Sequence, residues 1–277
     1  MRVRLTILCE NTVTFALNTL GEHGFSVFIE TEYGNYLLDT GQGSTLIHNA
    51  LSLKKDLRKV NKIFLSHGHY DHTGGLLPFL NIVHGVEVIG HPDVFMNRYA
   101  RRPSGEINYI GIPYRQVLLE GMGARFILHK TFEEVGPGLF LTGEIPRKTT
   151  FEGGDAHLLI KEGDGYIPDP FLDDQSLILD TPKGLIIILG CAHAGTINTI
   201  NHAIDRMGKD KIYAVVGGMH LHSSTSDQIE QTVKALNEFD LGRLGTSHCT
   251  GPNASHILAS VFGDRFFFAH VGTVIEA

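Results

Sequence analysis

Tryptophan is absent from the 277 residues, and cysteine occurs only three times. Cys9, Cys191 and Cys249 are scattered and cannot build a disulfide framework, which favours a reducing compartment. Long apolar runs are missing. The longest, such as Leu185–Leu189, fall far below the roughly 20 residues of a membrane span and read as buried strands. The segment Met1–Cys9 carries two arginines within an apolar alternation (Val3, Leu5, Ile7) and has no signal-peptide core, so a strand is expected there. Positive charge is not in excess: 23 Lys+Arg stand against 30 Asp+Glu, a net charge of −7. That balance argues against a general nucleic-acid surface. The expectation is a cytoplasmic protein with no membrane partner and with ample core for stability.

What is abundant is histidine, at 16 residues, beside 32 glycines. The early strands Phe25–Glu32 and Tyr36–Leu38 flank a Tyr33-Gly34-Asn35 turn, as in a hairpin. Apolar spacing predicts helices over Ser44–Leu53 and Leu76–Val83. Between Asn97 and Pro113, arginines and tyrosines sit among Pro and Gly, as in an exposed, mobile excursion. The last third alternates strand and helix. One helix contains Ile197, Ile200, Ile204 and Met207; the next contains Ile229, Val233 and Leu236, with Ser226 or Asp227 as its cap. Strand-rich halves bordered by helices indicate a layered sandwich of α/β (α+β) class.

The chemistry concentrates in Ser66-His67-Gly68-His69-Tyr70-Asp71-His72-Thr73-Gly74-Gly75. Residues two apart on an extended segment share a face, so His67, His69 and Asp71 point together and His72 turns back where a helix opens. Imidazole and carboxylate suit a borderline divalent metal, zinc first, then manganese or iron. One loop cannot close a site for two ions. His193, His220 and His248 each follow a strand end, where α/β layers place their sites, and Cys191 and Cys249 are adjacent candidates. Asp39, closing Leu37-Leu38-Asp39-Thr40-Gly41, is expected to hold a ligand's ring or the loop backbone. His23, His48, His84, His129, His202 and His256 read as histidines without partners.

These motifs resemble the metallo-β-lactamase superfamily. Gly190-Cys191-Ala192-His193, Gly217-Gly218-Met219-His220 and Ser247-His248-Cys249-Thr250 resemble a subgroup of 7,8-dihydropterin-6-methyl-4-(β-D-ribofuranosyl)aminobenzene-5′-phosphate synthase-like proteins. The resemblance implies one domain over 1–277, a four-layer αββα sandwich, with an inserted excursion near 97–124. It implies one or two divalent ions, the first at His67 and His69, the second at Asp71 and His72, with His248 as the last ligand and His220 competing for that place. The family's third-motif histidine is missing from Pro170–Ser176, so His193, Cys191, Asp173 or Asp174 takes over. The implied activity is metal-dependent hydrolysis, or a related transfer, by a metal-activated hydroxide. Asp71 and His220 would be catalytic, Arg98, Arg101 and Arg102 would meet the phosphate of a small phosphorylated or pterin-like substrate, and the protein would be a homodimer. A non-catalytic metal sensor and a nucleic-acid-processing phosphodiesterase are the competing readings.

Overall fold

Two stacked sheets follow from the alternation of apolar residues along the strands. In the computed structural model, which describes residues 1–277, the first sheet runs Val274–Glu276, Val3–Cys9, Ser26–Thr31, Gly34–Leu38, Val60–Phe64, Glu87–Gly90, Arg125–Leu128. The second runs Phe266–Phe268, Leu241–Thr246, Ile212–Gly217, Gly184–Leu189, Leu177–Thr181, Leu139–Leu141, Glu133–Gly136. Each has an antiparallel half and a parallel half, the parallel one being Gly34–Leu38 with Val60–Phe64 and Glu87–Gly90 in the first sheet and Gly184–Leu189 with Ile212–Gly217 and Leu241–Thr246 in the second.

Alternate residues face opposite sides of a sheet. Leu5, Ile7, Val27 and Leu38 therefore meet Leu139, Leu177, Leu179 and Ile186 in a core between the sheets. The outer faces are covered by helices. Phe28, Leu37 and Ile63 pack under Leu46–Ser52, Leu76–Leu80 and Gln116–Gly121. Ile187, Leu189 and Val215 pack under Thr196–Met207, Ser226–Leu236 and Pro252–Phe262. Each such fully buried side chain contributes about 1.5–3 kcal/mol. The result is the four-layer αββα order. No helix is long and apolar enough to cross a membrane.

The element ends differ from the sequence expectation for local reasons. The first helix starts after Thr45, not Ser44, because Glu22 accepts hydrogen bonds from the amides of Gln42, Gly43, Ser44 and Thr45. The second stops at Leu80 rather than Val83. The helix Ser226–Leu236 is capped by Thr225, whose hydroxyl accepts from Gln228 N at 3.2 Å; neither Ser226 nor Asp227 caps it. The stretch from Asn97 is not a loose excursion. Arg98–Arg101 and Ile107–Tyr109 form a hairpin that joins Leu158–Glu162 and Gly165–Pro168 in a third, four-stranded sheet. Tyr99 packs edge-on against Tyr109 and Tyr166 there.

The carboxyl ends of the parallel strands meet at one edge. Gly190, leaving Gly184–Leu189, lies so close to the loop after Val60–Phe64 that a Cβ would stand 2.2 Å from Ser66 Oγ. Overpacking of this kind costs about 1–3 kcal/mol. Denaturant unfolding of Gly190→Ala is expected to show a loss of that size. Gly121→Ala, at a helical glycine with nothing within 4 Å, should show none.

Candidate metal centre

The loop Ser66–His72 leaves the parallel strand Val60–Phe64 and enters the short helix Tyr70–Thr73. His69 keeps extended angles as the residue before that helix, φ −78° and ψ 148°. His67, His69 and His72 are all buried. Asp39 holds the loop from the neighbouring strand end. Its carboxylate accepts from Ser66 N at 2.7 Å and Ser66 Oγ at 2.6 Å, and its Oδ2 lies 2.7 Å from His72 Nδ1. That contact places the His72 proton on Nδ1 and leaves Nε2 as a bare donor.

Two donor sets follow. In the first, His67 Nε2 lies 3.0 Å from His69 Nδ1, and one ring nitrogen of His193 joins them within 4.8 Å. The His193 ring stacks on Phe171, centroids 4.0 Å apart and planes 6° from parallel. The Nε2 atoms of His69 and His193 are buried without a hydrogen-bond partner, which a satisfied protein interior avoids. In the second set, His72 Nε2 is 3.1 Å from Cys191 Sγ and 3.3 Å from His248 Nε2, which is 3.1 Å from Asp71 Oδ2. Neighbouring donors around a tetrahedral zinc ion stand about 3.3 Å apart, given its bond lengths. His248 Nδ1 meets Asn11 Oδ1 at 2.9 Å, an oxygen that also accepts from Gly24 N. Its Nδ1 therefore carries a proton, and its Nε2 faces a carboxylate oxygen. Such a contact needs positive charge between the two atoms, a second proton on the ring or a metal ion, and the residue types of both donor sets are those that divalent cations take.

Comparison with known proteins agrees. The metallo-beta-lactamase superfamily model matches residues 20–202. The chain belongs to the metallo-β-lactamase superfamily. It is 30% identical, over 99% of its length and 96% of the relative's, to the 7,8-dihydropterin-6-methyl-4-(beta-D-ribofuranosyl)-aminobenzene-5'-phosphate synthase of Methanocaldococcus jannaschii. The crystal structure of Tm1679, a metal-dependent hydrolase of the beta-lactamase superfamily, superposes with a TM-score of 0.84 at 28% identity, covering 99% of both chains. Zinc-bound PqqB from Methylobacterium extorquens shares the fold at a TM-score of 0.57 and 14% identity. The superfamily fold implies divalent-metal binding.

Electrostatics favour the ligating forms at His67, His69, His193 and Asp71, whereas burial pushes the Cys191 thiol well up. Burial holds His67, His69 and His193 well below the ordinary imidazole range, so they are neutral and carry lone pairs. Burial would raise the Asp71 carboxyl, but His72, His23 and His248 overcome it and keep it ionised. Burial would lower His72, but Asp39 and Asp71 outweigh it. A cation bound at His72 Nε2 would take the place of the second proton that these carboxylates favour. His220 stands beside both sets, with one ring nitrogen within 4.8 Å of donor atoms of Cys191 and His193. Its Nε2 is 3.6 Å from Asp155 Oδ2, and Asp155 with Cys249 holds it up, to about 10, against burial.

Several sequence expectations are corrected by this superfamily site. Arg98 is not a surface arginine: it is 1% exposed and spans Asp169 and Asp173, at 2.7 and 2.6 Å. Asp173 is no ligand, since its other oxygen accepts from Gly68 N at 2.8 Å and so ties the arginine to the histidine loop. Asp174 stands in none of the converging donor groups; its Oδ2 accepts from Ala194 N at 2.9 Å and positions the His193 turn. Arg101 and Arg102 do reach the cavity beside the donors. The histidines read as partnerless all have partners. His48, His84, His129, His202 and His256 bond backbone carbonyls, and His23 Nε2 lies 3.1 Å from Asp71 Oδ2. Glu10, which accepts from His248 N at 2.6 Å, Asn11, His23, Asp155 and Phe171 were missed as site residues. The one signal in the sequence was a turn of Glu22-His23-Gly24 directly before an apolar strand.

Burial raises the Asp174 carboxyl from 3.8 to about 6. Folded Asp174 therefore keeps a proton that the unfolded chain releases above its lower value, and its contribution to stability falls as pH rises from about 4 to 6. Asp174→Asn retains the acceptor for Ala194 N and removes the titration. Unfolding of metal-free protein at pH 4 and pH 7 should show the variant gaining on the order of 2–3 kcal/mol relative to wild type across that interval. An equal pH dependence in both proteins contradicts the assignment.

Proposed function

We propose that this chain is a metal-dependent enzyme, hydrolytic or group-transferring, that acts on a small phosphate-bearing, pterin-like molecule. The observation that carries the reading is a cavity of about 610 Å³ with His69, Asp71, His193, His220 and His248 at its floor and Arg101 and Arg102 at its rim. Metal donors and phosphate partners face the same space, at a size suited to a small ligand. The M. jannaschii relative, whose product name is a phosphorylated pterin derivative, supports the substrate class.

His67, His69 and His193 would hold one divalent ion, zinc first, and Asp71, His72, Cys191 and His248 a second. A bound ion supplies Lewis acidity toward a carbonyl or phosphoryl oxygen and makes water nucleophilic near neutral pH. The chain does the rest. Asp71 offers a carboxylate oxygen to orient the attacking group. His220, held protonated by Asp155, donates its Nε2 proton to the leaving group. Arg101 and Arg102 bind phosphate oxygens through charge-assisted hydrogen bonds. The buried rings of His193 and Phe171 keep bulk water from the floor.

Hydrolysis of a chromogenic phosphodiester tests this reading. Exhaustive chelation should abolish turnover, and readded zinc or manganese should restore it. His220→Asn should lower kcat by roughly 10²- to 10⁴-fold. Arg101→Ala with Arg102→Ala should raise KM at least about tenfold with kcat little changed, as for lost uniform binding, and should leave an uncharged ester unaffected. Turnover persisting in demonstrably metal-free protein contradicts the proposal.

A further inference from the structure

His23 belongs to neither the histidine loop nor the strand ends. It arrives on the segment between Val3–Cys9 and Ser26–Thr31. Its Nε2 lies 3.1 Å from Asp71 Oδ2, the same oxygen that His248 Nε2 meets at 3.1 Å. One donor atom from each of His23, Asp71 and His248 lies within 4.8 Å of the others.

The backbone around His23 is clamped to the centre. Phe25 N donates to Asp71 O at 3.2 Å. Gly24 N donates to Asn11 Oδ1, the atom that fixes the His248 tautomer. Gly24 has φ +153°, and a Cβ there would stand 2.5 Å from Asp71 O, so only glycine lets the segment come this close. The His23 side chain nevertheless remains 53% exposed and faces the cavity. The segments of Asn11, His23, Asp71 and His248 are thus tied together, and His23 carries the one half-exposed imidazole among them.

We propose that His23 is a fifth donor to the cation held by Asp71, His72, Cys191 and His248, entering from the cavity side. The proposal rests on the cation-binding reading of the site. A histidine that merely donates a hydrogen bond to Asp71 would orient the carboxylate without changing the number of nitrogen donors. A ligand changes that number, and the difference is visible without turnover.

Cobalt(II) titration of the metal-free full chain separates these cases. Wild type should take up two equivalents, the second with a weak visible d–d spectrum of a five-coordinate ion. His23→Ala should bind the second equivalent at least about tenfold more weakly, with a more intense, four-coordinate spectrum. The first equivalent should be unchanged. Millimolar imidazole should restore the wild-type spectrum, because the vacated position opens on the cavity. Circular dichroism checks the fold of the variant, whose changed side chain is half exposed. An unchanged second-site spectrum in His23→Ala, with or without weaker binding, overturns the His23 proposal and leaves the centre standing. Failure of wild type to bind cobalt at all overturns the centre and the proposal together.

Discussion

One buried carboxylate, Asp39, joins the elements on which the centre depends. It has no solvent exposure, and its two oxygens are used by Ser66 N, Ser66 Oγ and His72 Nδ1. Its own carbonyl accepts from Ser26 Oγ at 2.8 Å, and its N donates to Phe64 O at 2.8 Å. A carboxyl so buried is tolerated because both of its oxygens are hydrogen-bonded, and removing a partner from such a group costs about 3–5 kcal/mol. The same hydrogen bonds set the Ser66 rotamer against which Gly190 of the second sheet packs. The edge where the two sheets meet is therefore built round Asp39, and the His72 lone pair is aimed by it.

A second ionic group performs the same work from the opposite side. Arg98 binds Asp169 and Asp173, and Asp173 binds Gly68 N. The third sheet is thereby fastened to the loop that carries His67 and His69. Phe171, between the two aspartates in sequence, stacks on His193. The stretch that lacks the family's third-motif histidine thus contributes orientation instead of a donor, and His193 arrives from the Gly190–Gly195 turn of the second sheet. On the proposed reading, His193 supplies the nitrogen donor that this stretch does not.

The legible parts of the centre were those encoded at short range. His67, His69, Asp71 and His72 stand within six residues, and the strand alternation that precedes them is visible without a structure. His193, His220 and His248 were legible by position, since each follows a buried parallel strand. The four layers followed from the same alternation. What was not legible is long-range polar pairing. Arg98 finds Asp173 75 residues away, and in sequence a charge beside Pro and Gly looks solvated. Glu10, Asn11 and His23 lie in a turn-rich segment whose residue types are common in any loop. Their role appears only when Phe25 N is seen to bond Asp71 O. The Thr45 helix start was hidden for the same reason, because Glu22 takes the amides that Ser44 was expected to open with.

On the proposed reading two donor sets, with His193 and Cys191 in place of the family's usual residues, hold two cations. A crystal structure of zinc-loaded protein, with anomalous difference maps on both sides of the zinc edge, tests it most directly. Two zinc peaks are expected, one within bonding distance of His193 Nε2 and one within bonding distance of Cys191 Sγ. Absence of both peaks, or zinc bound with His193 and Cys191 outside its coordination, would contradict it.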